Sequence, residues 1–303
     1  MSGTTVSAPG WEAAWLNGWL ASIGLAVRSG CRLHFEGRFN WVPVFSSPSG
    51  DLAIERLAAG FPSPEELERI AIARVHPDLE GELVRNPSLE VYAERAQFAR
   101  LHGDRSLGAT MSDQIPPTTT ELAHSAFDAA VPKGITIGER LVACRAFIED
   151  PSTSLVASMQ GLLPRVKNNG LGFDARRIAV STAPDSEKYV DPVVEVLAFS
   201  ALELFPVRGD GRFEPRAKGF EGGKSARGGF VWPVWSQPLD APAIDALLDR
   251  FWTLRSDCGA DREAWRRASK RLGIVGAYSA IPYRAVTASD TTRGFASEVL
   301  WTI

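Results

Sequence analysis

The run VDPVVEVLAFSALELF, Val190–Phe205, is apolar around nearly the whole circumference of a helix. A helix with no polar face has to be covered on every side, so this run predicts a central helix around which other elements pack. A chain of 303 residues is long enough to build that cover without disulfide staples. Its 45% hydrophobic and 23% charged residues are ordinary for a globular protein and exclude a collagen-like or wholly disordered chain.

Other segments supply the cover. Trp11, Trp15 and Trp19 fall at helical spacing with Leu16, Leu20 and Ile23, which predicts an opening helix that is apolar over much of its surface. Arg32–Val44 alternates about a central glycine, as in a hairpin. Ser63-Pro-Glu-Glu66 and Thr136-Ile-Gly-Glu139 are capping boxes that start two more helices. In the second, Ile137, Leu141, Cys144 and Ile148 form one buried stripe. Phe230–Trp235 reads as a strand, and Pro233 places it at a sheet edge. Asp240–Arg255 is a helix with Ile244, Leu247, Leu248, Phe251 and Leu254 inward. Helices and short strands in irregular order predict an α+β fold, helix-rich, with short, mostly antiparallel strands in two packed subdomains. The boundary falls in a Pro/Thr/Ser/Gly stretch, which divides the chain into residues 1–103, a linker 104–120 and residues 121–303. Charge divides there too. Ten basic and 14 acidic residues precede Glu121, and from Glu121 onward there are 23 basic and 22 acidic.

Motifs for catalysis are imitated rather than present. Gly223-Lys224-Ser225 resembles the end of a phosphate-binding P-loop, but Lys218 stands where that pattern needs glycine and no helical run follows. His34, His76, His102 and His124 share no metal-ligand spacing, and no GxSxG elbow occurs. Glu187 and Lys188, after Pro184-Asp185, are adjacent and would splay apart rather than share a nuclease metal. Cys31, Cys144 and Cys258 are odd in number and contain no CxxC, which indicates a reducing compartment with no disulfide framework. The apolar stripe makes Cys144 a core thiol. No Lys or Arg precedes Arg28, and the uncharged stretch Ala13–Val27 is shorter than the ~20 residues of a spanning helix. The expectation is a cytoplasmic, membrane-free, non-enzymatic chain without metal or cofactor.

Basic clusters carry the positive signal. From Phe205 through Gly229 there are seven glycines and six cations, Arg208, Arg212, Arg216, Lys218, Lys224 and Arg227, against three acids. Such a segment can bring backbone amides and guanidinium groups close to phosphates, with Phe213 and Phe220 able to stack on bases. It also reads as a solvated loop with nothing bound. In Asp261–Leu272 the inner stripe Trp265, Ala268 and Leu272 leaves Arg262, Arg266 and Lys270 in an outer row flanked by Arg267 and Arg271. A plain exposed face with Glu263 paired to Arg267 competes with that reading. Arg165, Lys167, Arg176 and Arg177 stand around an Asn/Gly turn, and Arg293 lies among Ser289, Thr291, Thr292 and Phe295. Hydroxyl, amide and arginine donors of this kind are the usual phosphate-contacting set.

VDPVVEVLAFSALELFPVRG, the Gly/Arg-rich segment after it, FVWPVWSQPL and the late DTTRGF resemble non-catalytic subunits of class 1 CRISPR effector complexes. The nearest are large-subunit-like proteins of the type I-U, or I-G, systems. WLNGWLASIGL, the Leu204-Phe205-Pro206 turn and Thr291-Thr292-Arg293-Gly294-Phe295 match further features of that group. The resemblance implies an antiviral ribonucleoprotein in which the chain grips guide RNA or target DNA and neighbouring protein subunits without cutting. Two other readings stand beside it. One is an interaction module anchored by Trp232 and Trp235, and the other an enzyme assembled from distant residues such as His124 and Asp128.

Overall fold

Aspartates start most of the helices after the predicted boundary. A computed structural model describes residues 5–68 apart from 39, 49 and 51; 137–176 apart from 173 and 175; 187–221 apart from 206, 210–214 and 218; 229–284; 293–302; and single residues at 94, 97 and 101. Before the boundary come β1 (Thr5–Ser7), α1 (Leu16–Ser29), β2 (Arg32–Glu36), β3 (Val42–Ser46) and α2 (Ile54–Ala59). Then follow α3 (Ile137–Ala146), α4 (Pro151–Met159), β4 (Val166–Lys167), β5 (Tyr189–Val190) and α5 (Pro192–Ala201). The last elements are β6 (Val207–Gly209), β7 (Pro215–Ala217), β8 (Phe220–Glu221), β9 (Gly229–Trp235), α6 (Ala241–Cys258), α7 (Arg262–Lys270), β10 (Ile274–Arg284) and β11 (Arg293–Thr302). Asp150, Asp191, Asp240 and Asp261 each accept backbone N–H groups at the starts of α4, α5, α6 and α7. A proline in the first turn of α4, α5 and α6 costs no hydrogen bond, because the first N–H groups of a helix have no partner within it.

The fold is α+β, as expected, and the pairings among the described strands are antiparallel. One sheet has the order β1-β3-β2, a second β11-β10-β9-β8, and β4-β5 and β6-β7 are two-stranded. Leu33 and Leu239 exchange backbone hydrogen bonds of 2.8 and 3.0 Å, which ties the first sheet to the chain leaving β9. The predicted central helix is α5, buried along its length. It packs on α1 so closely that a Cβ on Gly24 would lie 1.9 Å from the Leu197 carbonyl oxygen. Trp19 on α1 joins Phe205, Phe230 and Trp232 at centroid distances of 6.0–6.2 Å. Residues from both sides of 104–120 thus share one hydrophobic cluster, while 104–120 itself lies outside the described residues.

Several local expectations change. Trp11 and Trp15 precede α1, which begins at Leu16, and β1 comes before them. Both indoles are buried because each N–H finds a side-chain acceptor, Ser158 for Trp11 and Asp174 for Trp15. Helical spacing does not separate such a buried turn from a helix. Val190 belongs to β5, so α5 starts only after its Asp191 cap. The glycine-rich stretch contains β6, β7 and β8, since ladder hydrogen bonds need backbone rather than apolar side chains. The hairpin of β2 and β3, the Ser63 cap donated to by Glu66 N–H at 3.1 Å, and the burial of Leu141, Cys144 and Ile148 are as predicted. Thr136 lies outside the described residues.

The edge expectation for β9 holds at one point and fails at another. β9 lies between β10 and β8, but β8 reaches only Gly229 and Phe230. Val231 donates to Gly219 at 2.7 Å, away from β10, and Pro233 two residues on presents its backbone to that same side. The missing proline N–H therefore falls where none of the described strands needs it, and the Pro233 carbonyl accepts the Trp19 indole N–H at 3.0 Å. This edge is covered by α1 rather than by solvent.

Candidate nucleic-acid interface

Helix α7 is aimed by its inner face. Trp265 is 2% exposed and packs 5.0 Å from Phe251 and 5.9 Å from Trp301, while the Arg255 guanidinium sits 5.1 Å from its ring centroid. Ser269 is also buried, and Ala268 and Leu272 are half-buried. The opposite side leaves Arg262, Arg267, Lys270 and Arg271 exposed. Arg266 departs from the predicted outer row. It is half-buried, its Nη1 lies 3.5 Å from Glu263, and its Nε is buried without a hydrogen-bond partner. Glu263 therefore pairs one turn on with Arg266, not with Arg267. Three of the exposed cations, Arg267, Lys270 and Arg271, cluster at the C-terminal end of α7, where the helix dipole also favours positive charge.

The described cations near the Asn/Gly turn, Arg165, Lys167 and Arg176, are engaged within the chain. Lys167 lies in β4 rather than a loop and pairs with Glu187 at 2.6 Å, and Tyr189 donates to the same carboxylate. The hydrogen bond and ion pair hold the Lys167 ammonium above, and the Glu187 carboxyl below, their ordinary values. Arg165 donates to the Arg176 carbonyl. The Arg176 guanidinium stacks 4.4 Å from the Trp15 ring and lies 3.6 Å from Glu12. Below it Asp174 accepts from the Trp15 indole and the Arg176 amide, both at 2.8 Å. Burial pushes the Asp174 carboxyl up. These groups strap the turn onto the segment before α1.

Two arginines of the glycine-rich stretch, Arg208 and Arg216, stand directly opposite in β6 and β7. Arg293 opens β11 opposite Arg284, a residue that no sequence motif singled out. Arg177, Arg212, Lys218, Lys224 and Arg227 lie outside the described residues, as do His76, His102, His124 and Asp128.

A buried polar cluster between α1, α3 and α5 was not anticipated. Glu195 is fully buried and accepts from Asn17 at 2.9 Å and from the Leu171 amide at 2.7 Å. Gly170, at φ 50°, allows this approach, because a Cβ there would lie 2.4 Å from Glu195 Oε2. Arg140, itself buried, donates to the Gly170 carbonyl. Nearby, Trp11 donates to Ser158, and Ser158 donates to Asp191 at 2.7 Å. Burial raises the Cys144 thiol well above its ordinary pKa, and Glu195 and Asp191 add to that while Arg140 opposes it. Such a thiol is a poor nucleophile, in keeping with its place in the core. A signal for this cluster was available: Glu195 is the one acid within the apolar stretch Pro192–Ala201, so a buried partner for it had to exist.

His34 is buried and pairs with Glu36 at 2.9 Å. Trp232 and Trp235 are fully buried and donate to the Ala13 and Leu33 carbonyls, so they anchor the core rather than a partner. Among the described residues no cluster of His, Cys, Asp or Glu is arranged to hold a metal, and no helix is long and apolar enough to cross a membrane. Compared with protein-family models, curated proteins and solved structures, the chain matches none.

Proposed function

We propose that the protein is a nucleic-acid-binding subunit of a CRISPR guide-RNA surveillance complex that contacts guide RNA or target DNA and neighbouring subunits without cutting. The supporting observation is the exposed charge of α7 and its cap, where Arg267, Lys270 and Arg271 cluster at the C-terminal end, Arg262 is exposed in the first turn, and the one acid of the helix is occupied by Arg266. Cations alone on a regular face suit phosphates rather than base edges, and in guide-RNA complexes base pairing reads the sequence. Replacing the four exposed cations with Gln is expected to weaken binding to every RNA or DNA sequence alike. The slope of log affinity against log salt should fall by roughly 0.7–0.9 for each phosphate that is no longer neutralised. A lower melting temperature with unchanged affinity and slope would assign the row to the helix dipole instead.

A scaffold role is favoured by a separate observation. Phe147, Val156 and Leu162 are 55%, 43% and 76% exposed within one short stretch spanning the end of α3, α4 and the residue following its C-terminal turn. In the proposed complex this stretch serves the contact with a neighbouring subunit.

A further inference from the structure

Nine tryptophans occur in the chain, and six of their indole N–H groups, on Trp11, Trp15, Trp19, Trp232, Trp235 and Trp252, reach an acceptor at 2.8–3.0 Å. The indoles of Trp41, Trp265 and Trp301 reach none, although each N–H is shut off from solvent. These exceptions gather at one end of the second sheet. Trp301 in β11 pairs with Ala277, and Trp265 meets the Trp301 ring edge to face at 5.9 Å. Trp41 lies over Gly276, its Nε1 3.5 Å from where a Cβ would stand.

The sheet is irregular at the same place. Val275 is an extra residue of β10 against β9, between the Ile274–Trp235 and Gly276–Val234 pairs. Leu300 is an extra residue of β11 against β10, between the Val299–Tyr278 and Trp301–Ala277 pairs. Bulges re-aim the side chains beside them and are common next to active sites. On α7, Ser269 follows Trp265 by one turn on the same buried face. Its hydroxyl is also buried without a partner, as is the Nε of Arg266. Indole and guanidinium N–H groups only donate and a hydroxyl can donate, so what satisfies Trp265, Ser269, Arg266 and Trp301 together is an acceptor. The surrounding charge favours a negative one. Arg255 lies 5.1 Å from the Trp265 ring centroid, Arg262, Arg267, Lys270 and Arg271 are exposed, and Glu263, the one acid of α7, lies 3.5 Å from Arg266.

We infer that the seam between α7 and the end of β11 is a phosphate-binding site, in which Trp265, Ser269, Arg266 and Trp301 donate to the oxygens of a phosphate group. Trp301 and Arg266, both half-buried, are its outer members, and Trp265 and Ser269 its inner ones. The seam is shut over these donors, so the phosphate enters as α7 draws back from β11. Exchange of unpaired donors for charge-assisted hydrogen bonds drives that movement. A nucleic-acid backbone as the source of the phosphate rests on the reading above, and free phosphate offers the same chemistry.

The test uses the full chain, a fluorescein-labelled oligouridine titrated over a salt series, and inorganic phosphate set against chloride at equal ionic strength. S269A and W301F each remove a neutral donor. Both are expected to weaken oligouridine binding about tenfold, the worth of a hydrogen bond to a charged group. The slope of log affinity against log salt should stay at the parent's value, because no charge is lost. Displacement of α7 would instead lower slope and affinity together, as Gln at its four exposed cations does. Inorganic phosphate should raise the melting temperature of the parent and not that of S269A. Without either probe S269A should melt no lower than the parent, since an unpaired hydroxyl stabilises nothing. If S269A and W301F bind oligouridine as the parent does while the Gln replacement weakens binding, the inference fails and the nucleic-acid reading stands. If phosphate stabilises the parent but oligouridine does not bind, the site holds with free phosphate as its ligand and the nucleic-acid reading fails. A parent that responds to neither overturns both. An S269A protein that melts below the parent would show that the hydroxyl has a partner within the chain, which also overturns the inference.

Discussion

Asp191 does three jobs with two oxygens: it accepts the Val193 and Val194 amides at the start of α5 and the Ser158 hydroxyl, which itself accepts from Trp11. Burial nevertheless raises its carboxyl above the ordinary aspartate value, because those hydrogen bonds offset only part of the desolvation. For an acid raised in the folded state, the native form binds more protons than the unfolded one between the ordinary and the raised pKa, so its contribution to stability falls as pH rises through that window. Asp191→Asn keeps a capping oxygen and removes the charge. The stability difference between parent and variant should therefore move in favour of the parent on acidification from neutral pH, measured by urea unfolding at several pH values. A flat difference would mean that the carboxylate titrates no differently when folded. At this scale the capping aspartate precedes a proline and an apolar run in sequence, but its partners Ser158 and Trp11 are far away in the chain. No spacing rule connects them.

The crossing of α1 and α5 rests on the absence of a side chain at Gly24, whose added methyl would meet the Leu197 carbonyl oxygen. Backbone cannot retreat as a flexible side chain does, so Gly24→Ala should force the helices apart and cost about 1–3 kcal/mol or more, despite the better helix propensity of alanine. Denaturant titration checks this, and a variant as stable as the parent would place the crossing elsewhere. Elements with strong periodicity were legible: α5 from its apolar circumference, α6 and α7 from their inner stripes, and the β2–β3 hairpin from alternation about Gly37. Those held by backbone pairing alone were not. Val207–Gly209 and Pro215–Ala217 have composition typical of a loop, and their pairing set Arg208 against Arg216, a relation visible only in the register. The row on α7 was legible except for Arg266, where the apolar stripe is wide enough to take in part of a long side chain.

Tryptophans join the two parts that composition and charge divide at 104–120. Trp11, Trp15 and Trp19 donate to Ser158, Asp174 and Pro233, and Trp232 and Trp235 donate back to Ala13 and Leu33. The carbonyls and side chains that accept them are buried, so separating the parts would strand donors and acceptors on both sides. A donor or acceptor left unpaired in the interior costs about 1–3 kcal/mol, and five such bonds cross this division. Two subdomains read from sequence should consequently unfold as one cooperative unit. Tryptophan fluorescence reports the junction and far-ultraviolet circular dichroism reports the helices. The two signals are expected to change together in a denaturant titration, with one midpoint. A fluorescence transition that precedes loss of helix would show that the parts come apart first, and the surfaces that bear α7 and the β10–β11 ribbon would then belong to a unit able to stand without the N-terminal sheet.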